Sequence, residues 1–294
     1  EIAQCLVGSE MCIRDSHGII AKKEALMNIN EIFAHVDELF ENKRANEVEP
    51  YLLSCLAESE AAGDPALIPI CNELGGLYRA TGAYEKGIPL YQKALAMIKR
   101  LGLAGSEHHA TTLINFGTNY AVKGQPKEAL AIFEEAASML KNLGLSEDYR
   151  TATLYNNMSI LCQDMGDFDK ALHHLQKALE ILTNLAESEI EIAVTYTNMA
   201  QIFVQSGRID DAFEAASRSL EIFDRVDGDA DVHYSGALET MGHVLLKKGN
   251  TGGALDAFKK ARSLTLRDYG AESLAYKAID QIIAELGGTV DETP

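Results

Sequence analysis

The stretch from Thr153 to Leu220 holds two copies of one pattern, and its reading decides the fold. The first copy runs Leu154-Tyr155-Asn156-Asn157-Met158-Ser159, then Gly166-Asp167-Phe168-Asp169-Lys170-Ala171-Leu172 and Leu175-Gln176-Lys177-Ala178-Leu179. The second runs Val194-Thr195-Tyr196-Thr197-Asn198-Met199-Ala200, then Gly207-Arg208-Ile209-Asp210-Asp211-Ala212-Phe213 and Ala216-Ser217-Arg218-Ser219-Leu220. Outward from these, a turn glycine recurs at Gly82, Gly124, Gly166, Gly207 and Gly249, in steps of 42, 42, 41 and 42 residues. Five residues after each stands a small residue: Gly87, Ala129, Ala171, Ala212, Ala254. Seven further on come Ala94, Ala136, Ala178, Ser219 and Ala261, with Tyr91, Phe133, Leu175, Ala216 and Phe258 three residues before them. Ahead of each glycine, Leu74-Gly75, Phe116-Gly117, Met158-Ser159, Met199-Ala200 and Met241-Gly242 keep one offset.

Each unit reads as a helical hairpin. Ala171, Leu172, Leu175, Ala178, Leu179 and Leu182 form a single apolar stripe at helical spacing, and Leu154, Met158, Leu161, Cys162 and Met165 form its partner. Small residues let two helix backbones approach where they cross, and a larger apolar residue beside them fills the gap. The glycine falls where the first helix stops, because it takes the left-handed conformation without a Cβ clash. One hairpin buries too little apolar surface to stand alone, so the hairpins must stack.

In this order the apolar-small pair, turn glycine, alanine, aromatic and second alanine resemble the tetratricopeptide repeat. The resemblance covers about Leu67 to Arg262. That family's usual period is 34 residues, so the longer step here adds about one turn to each helix. The longer unit is similar to the repeats of kinesin light chain and related bacterial proteins. Gly87 and Pro89 depart from the pattern inside the second helix of the first copy, and the proline predicts a kink or a late start there.

The ends are read separately. Residues 1–16 resemble read-through of a sequencing adapter, and codons for Lys23-Glu24-Ala25 can spell a ribosome-binding site shortly before Met27. Residues 1–26 are therefore expected to be a non-native leader, with a bacterial protein starting at Met27. Residues 27–63 read as a degenerate hairpin, 64–268 as five repeats, 269–286 as a capping helix and 287–294 as a disordered tail. Asp64-Pro65 predicts a helix start, as do Ser106-Glu107, Pro126 and Leu145-Ser146-Glu147-Asp148. The cap is predicted over about Glu272 to Glu285.

A net charge of −18 and a pI of about 4.8 argue against nucleic acid as a partner, since phosphate binding needs a basic face. No apolar run reaches the roughly 20 residues that span a bilayer. Cys55, Cys71 and Cys162 lack metal-type spacing and read as buried small hydrophobes in a reducing cytoplasm.

Three candidate chemistries fare poorly. Asp227, Asp229 and Asp231 begin a calcium-loop pattern, but Val232 stands where that loop needs glycine and Leu238 where it needs glutamate, so a solvated loop is expected. His108-His109 and His173-His174 are adjacent, whereas helical metal ligands recur at i, i+4. They are expected to point different ways, exposed or lining a groove. Gly249 to Gly253 lacks the lysine of a phosphate loop. No catalytic set assembles from motifs, and neither a cofactor nor a metal is expected.

One polar series carries a functional expectation. Asn115, Asn157 and Asn198 fall at one repeat position on the first helix, one residue before the apolar-small pair. The resemblance implies that first helices line a concave surface, and that kinesin light chain-like repeats use Asn here to hold a peptide backbone. An Asn amide offers the donor and acceptor that an extended peptide bond needs. Helices roughly 8–10 Å apart would meet a chain rising about 3.3 Å per residue about once every three residues. The alternative is an Asn bonding between helices to fix packing. Arg79, Asn156, Gln163, Gln201, Gln205 and His243 are expected on the same face.

These readings give an all-α, right-handed α-α superhelix acting as a cytoplasmic scaffold or adaptor for a peptide or protein segment. The alternatives are a peptide-sensing regulator, which normally carries a DNA-binding or effector domain for which Met27 to Gly63 is too short and acidic, and an enzyme or metal protein using the histidine pairs.

Overall fold

A computed structural model of the chain describes residues 27–42, 44–226, 231–271 and 273–287. The proposed leader, Asp227 and Asp229 of the aspartate series, Glu272 and the tail beyond Gly287 lie outside the described residues. Among the described residues all regular structure is helical. After α1 (Ile29–Glu41) and a short 3-10 turn (Ala45–Glu47) come α2 (Val48–Ala62), α3 (Leu67–Ala80), α4 (Tyr84–Arg100), α5 (Glu107–Val122) and α6 (Pro126–Asn142). Next are α7 (Tyr149–Asp164), α8 (Phe168–Leu182), α9 (Glu189–Gln205), α10 (Ile209–Arg225), α11 (His233–Lys247), α12 (Thr251–Tyr269) and α13 (Leu274–Glu285). The chain divides into two compact units, one ending at Leu154 and the other beginning at Tyr155, inside α7.

Each repeat joins its two helices through the glycine. The five turn glycines have φ between 75° and 78°, a region closed to side chains with a Cβ except at a cost. The next residue's N–H then reaches back to the first helix, as Ala83 does to the Tyr78 carbonyl at 2.7 Å and Arg208 to Phe203 at 2.8 Å. This caps carbonyls that the helix end leaves open.

Size complementarity sets how closely the two helices of a hairpin approach. A Cβ on Gly117 would lie 2.6 Å from the Phe133 ring, and one on Gly242 would lie 2.7 Å from Phe258. A Cβ on Gly75 would likewise run into Tyr91. Where the first helix carries Ser159 instead, its partner shrinks to Leu175, and opposite Ala200 it shrinks to Ala216. All five second-helix residues are buried. Four of the five pairs hold a near-constant total volume, as close-packed interiors require, while Ala200 with Ala216 is smaller.

In the unit ending at Leu154, α2 packs on α3, α3 on both α4 and α5, and α5 on α6. Its core runs from Ile32, Val36 and Leu39 through Leu52, Ile70 and Leu74 to Ala94 and Ile98. In the unit from Tyr155, α9 packs on α8, α10 and α11, and α12 on α11 and α13. Ile279 and Ile283 of α13 join Phe223, Tyr234 and Phe258 in one cluster.

Two local expectations need correction. Pro89 causes no late start: α4 begins at Tyr84, the same two residues after its glycine as α6, α8, α10 and α12. Gly87 beside it makes room for Asn119, whose Nδ2 donates to the Tyr84 carbonyl at 3.1 Å. Asp64 opens a turn rather than the helix itself: its Oδ1 accepts the Ala66 N–H at 2.8 Å, and α3 begins at Leu67. Ser106 does cap α5, accepting from His109 N, and Pro126 is the first residue of α6.

Candidate functional site

In the unit from Tyr155, the first helices α7, α9 and α11 enclose a groove of about 470 Å³. Helix α7 contributes Ile160, Gln163 and Asp164; α9 contributes Val194, Asn198, Gln201 and Gln205; α11 contributes Gly236, Glu239, Thr240 and His243. Measured back from each turn glycine, Asn198 and Thr240 share one repeat position. Ile160, Gln201 and His243 share another, and Asp164 and Gln205 a third. Such spacing is one face of a helix, so the same stripe of three successive repeats forms the walls.

Of the residues singled out in the sequence, Asn198, Gln163, Gln201, Gln205 and His243 come together here. Asn156 stands behind them, buried, and its Oδ1 accepts from Asn198 Nδ2 at 3.3 Å. Asn157 is buried and does not line the groove. Asn115 and Arg79 belong to the other unit. Both are buried, and Arg79 Nη1 donates to the Tyr91 hydroxyl at 3.5 Å.

The asparagines take part in a lateral network that occurs twice. Asn72 Nδ2 donates to Thr112 Oγ1 at 3.0 Å, while Asn115 Nδ2 donates to Asn72 Oδ1 at 3.3 Å. In the second unit Asn156 Nδ2 donates to Thr195 Oγ1 at 3.1 Å, and Asn198 completes the set. Each triad ties a first helix to the first helix of the next repeat. The alternative reading of the Asn position, interhelical bonding, therefore describes one of its two polar atoms. The other is left over: Asn115 Oδ1 and Asn198 Oδ1 are buried and meet no hydrogen-bond partner among the described residues.

Sequence reasoning missed Thr240, Glu239 and Asp164 as groove residues. Thr240 was within reach, since it occupies the asparagine position in the fifth copy. Gln201 Nε2 donates to it at 3.1 Å. Asp164 is exposed, and the partial desolvation it meets in the groove pushes its carboxyl above its ordinary range. Glu239 lies 3.8 Å from His243 Nε2, and the His243 ring meets Phe258 edge-on at 5.1 Å. Among the described residues no lysine or arginine lines the groove.

The other candidate groups have structural employment. Asp231 accepts the His233 backbone N–H and faces its Nδ1, both at 2.8 Å, at the entry to α11. Of the histidine pairs, His108 and His174 are buried while His173 is exposed. Gly105 N donates to His109 Nδ1 at 3.1 Å. His174 stacks on Tyr155 at 5.7 Å, and burial pushes its pKa down to about 4. Among the described residues no three His, Cys, Asp or Glu side chains gather in a way that could hold a metal. Nor is any described helix long and apolar enough to cross a membrane. Cys55, Cys71 and Cys162 are free and buried, and burial pushes Cys71 up to about 12.

Comparison with solved structures returns the same architecture. BtubC (BKLC) from P. vanneervenii is 20% identical, with a TM-score of 0.59 over 83% of this chain and 94% of that one. The apo form of the quorum sensor NprR from B. thuringiensis is 13% identical, with a TM-score of 0.65 over 96% and 78%. A putative kinesin light chain with nearly identical TPR-like repeats from Podosopora anserina is 14% identical, with a TM-score of 0.54 over 70% and 98%. At these identities the likeness is one of fold. No curated protein matches the sequence. A tetratricopeptide-repeat family model matches residues 69–142, 110–184, 150–225 and 191–267, more than half of the chain. With glycine-jointed hairpins in five successive copies and small residues paired with large ones in four of them, the chain belongs to the tetratricopeptide-repeat family.

Proposed function

We propose that the protein is a scaffold or adaptor that holds an extended peptide or protein segment in the groove between α7, α9 and α11. One observation carries this reading. Three successive first helices present Gln163, Asn198, Gln201, Gln205 and Thr240 to a single concavity, the uncharged donors and acceptors that peptide bonds need. Asn198 Oδ1 is positioned to accept a peptide N–H, while its Nδ2 stays committed to Asn156. Asn115 and Arg79, buried in the other unit, are assigned to fixing helix positions. The reading assigns no catalytic residue and no cofactor. It excludes nucleic acid as partner on the charge of −18. The three unpaired buried thiols support a reducing, cytoplasmic setting.

Gly236 provides the test. It lines the groove, and a Cβ added there meets nothing within 4 Å. Gly236→Trp should fill the concavity without disturbing α11, since most residues favour a helix interior over glycine. Binding of a fluorescein-labelled randomised nonapeptide pool, followed by anisotropy, should weaken at least about tenfold, a loss of about 1.4 kcal/mol, with no fall in melting temperature. Equal binding by wild type and variant would contradict the proposal.

A further inference from the structure

We infer that the segment held in this groove is basic, with lysine or arginine side chains set against Asp164 and Glu239. The inference rests on the proposed peptide-binding role and names the class of peptide. Its first support is the sign of the walls. The groove carries carboxylates on two of its three helices, Asp164 on α7 and Glu239 on α11, and among the described residues no lysine or arginine lines it. Among the described residues Asp164 has no ion-pair or hydrogen-bond partner, Glu239 faces the imidazole of His243 at 3.8 Å, and His233, which also lines the groove, is taken up by Asp231 at 2.8 Å. Elsewhere on the chain acids are routinely matched: Glu49 with Lys86, Glu60 with Lys93, Glu85 with Lys123, Glu189 with Arg225 and Asp210 with Lys248. Two carboxylates left without a strong cation inside a concavity form a local field that favours an incoming one.

The second support is the buried acceptor between them. Asn198 is 1% exposed, lines the groove and has an Oδ1 without a partner, which points to a donor arriving from outside the fold. A peptide N–H satisfies it. A free cation or a polyamine would answer the carboxylates but would leave the Gln163 and Gln205 amides unused. An extended peptide answers both, its main chain meeting the amides and its side chains the acids. By the same charges, a segment rich in Asp or Glu is rejected, because like charges brought together in a partly enclosed site repel.

The test uses the full chain and three fluorescein-labelled nonapeptide pools. Each has two fixed positions in a background randomised over Ala, Ser, Gly and Val, and the fixed residues are Lys or Arg in one pool, Gln in the second and Glu in the third. Wild type should bind the basic pool about tenfold more tightly than the Gln pool, two partly enclosed ion pairs together supplying that factor. It should bind the Glu pool most weakly. In the double variant Asp164→Asn with Glu239→Gln the basic and Gln pools should bind alike. A control that changes charge equally on exposed second helices, Glu134→Gln with Glu180→Gln, should keep the preference. Retention of the basic preference by the Asp164/Glu239 variant, or its loss in the control, would show that the overall charge draws the peptide and would overturn the inference. Equal binding of all three pools by wild type, abolished by Gly236→Trp, would overturn the basic preference and leave the peptide groove standing. Failure of every pool to bind would overturn both.

Discussion

The pairing of Gly242 with Phe258 allows a quantitative test of what holds the hairpins together. An alanine Cβ at position 242 would stand 2.7, 2.8 and 2.9 Å from three atoms of the Phe258 ring. The ring is fully buried, with His243 packed edge-on at 5.1 Å, so it cannot swing aside. Overpacking of this kind costs about 1–3 kcal/mol, and three contacts this short argue for the upper half of that range. Alanine returns about 1 kcal/mol of helix propensity. Gly242→Ala should therefore destabilise by about 1–2 kcal/mol, whereas Gly236→Ala, on the same helix with open space around its Cβ, should stabilise by up to about 1 kcal/mol. The third repeat suggests the compensating change. Gly242→Ser with Phe258→Leu recreates the Ser159 and Leu175 pair, so the double variant should lose less stability than the single changes summed, by about 1 kcal/mol or more. Urea midpoints followed by circular dichroism at 222 nm would report wild type and the five variants, the two single changes of the double variant included. If Gly242→Ala melts like Gly236→Ala, or if the double variant is simply additive, the helix approach is not set by this pair.

Other outcomes follow from buried polar groups. His174 is buried, and its pKa is held near 4 against an ordinary 6.5. The unfolded chain thus binds the proton more readily, and the neutral ring's contribution is fully present above pH 6.5 and is lost as pH falls toward 4. Wild type should lose about 2 kcal/mol more across that window than His174→Leu, measured by denaturation at a series of pH values. The two asparagine triads should behave alike: Asn115→Ala and Asn198→Ala each strand a buried amide and should cost about 1–2 kcal/mol, with similar urea-midpoint shifts. A negligible cost at either site would show that the lateral bonds contribute nothing. Cys71, buried with its thiol pushed up to about 12, should resist alkylation in the native protein and react once the chain is unfolded, as read by mass spectrometry.

Much of this architecture was legible because it repeats. The glycine phase, the helix ends at Ser106 and Pro126, and the small residues facing large ones all follow from local rules applied five times. Pro89 misled because helix propensity is a local argument, while α4 is held by Gly87, Asn119 and the hairpin beneath it. The asparagine position was visible, but not which atoms its amides meet. Asn198 pairs with Asn156, a residue one position earlier in the preceding repeat, and that offset emerges only when the helices are laid side by side. The acidic walls were invisible for a similar reason. Asp164 and Glu239 lie 75 residues apart, at different repeat positions, and share a surface only because α7, α9 and α11 enclose one space.

The measurement closest to the central claim is a crystal structure of the full chain with a bound basic nonapeptide. The account predicts an extended segment lying across α7, α9 and α11, with a main-chain N–H on Asn198 Oδ1 and a lysine or arginine against Asp164 or Glu239. A peptide seated instead on α8, α10 and α12 would contradict it.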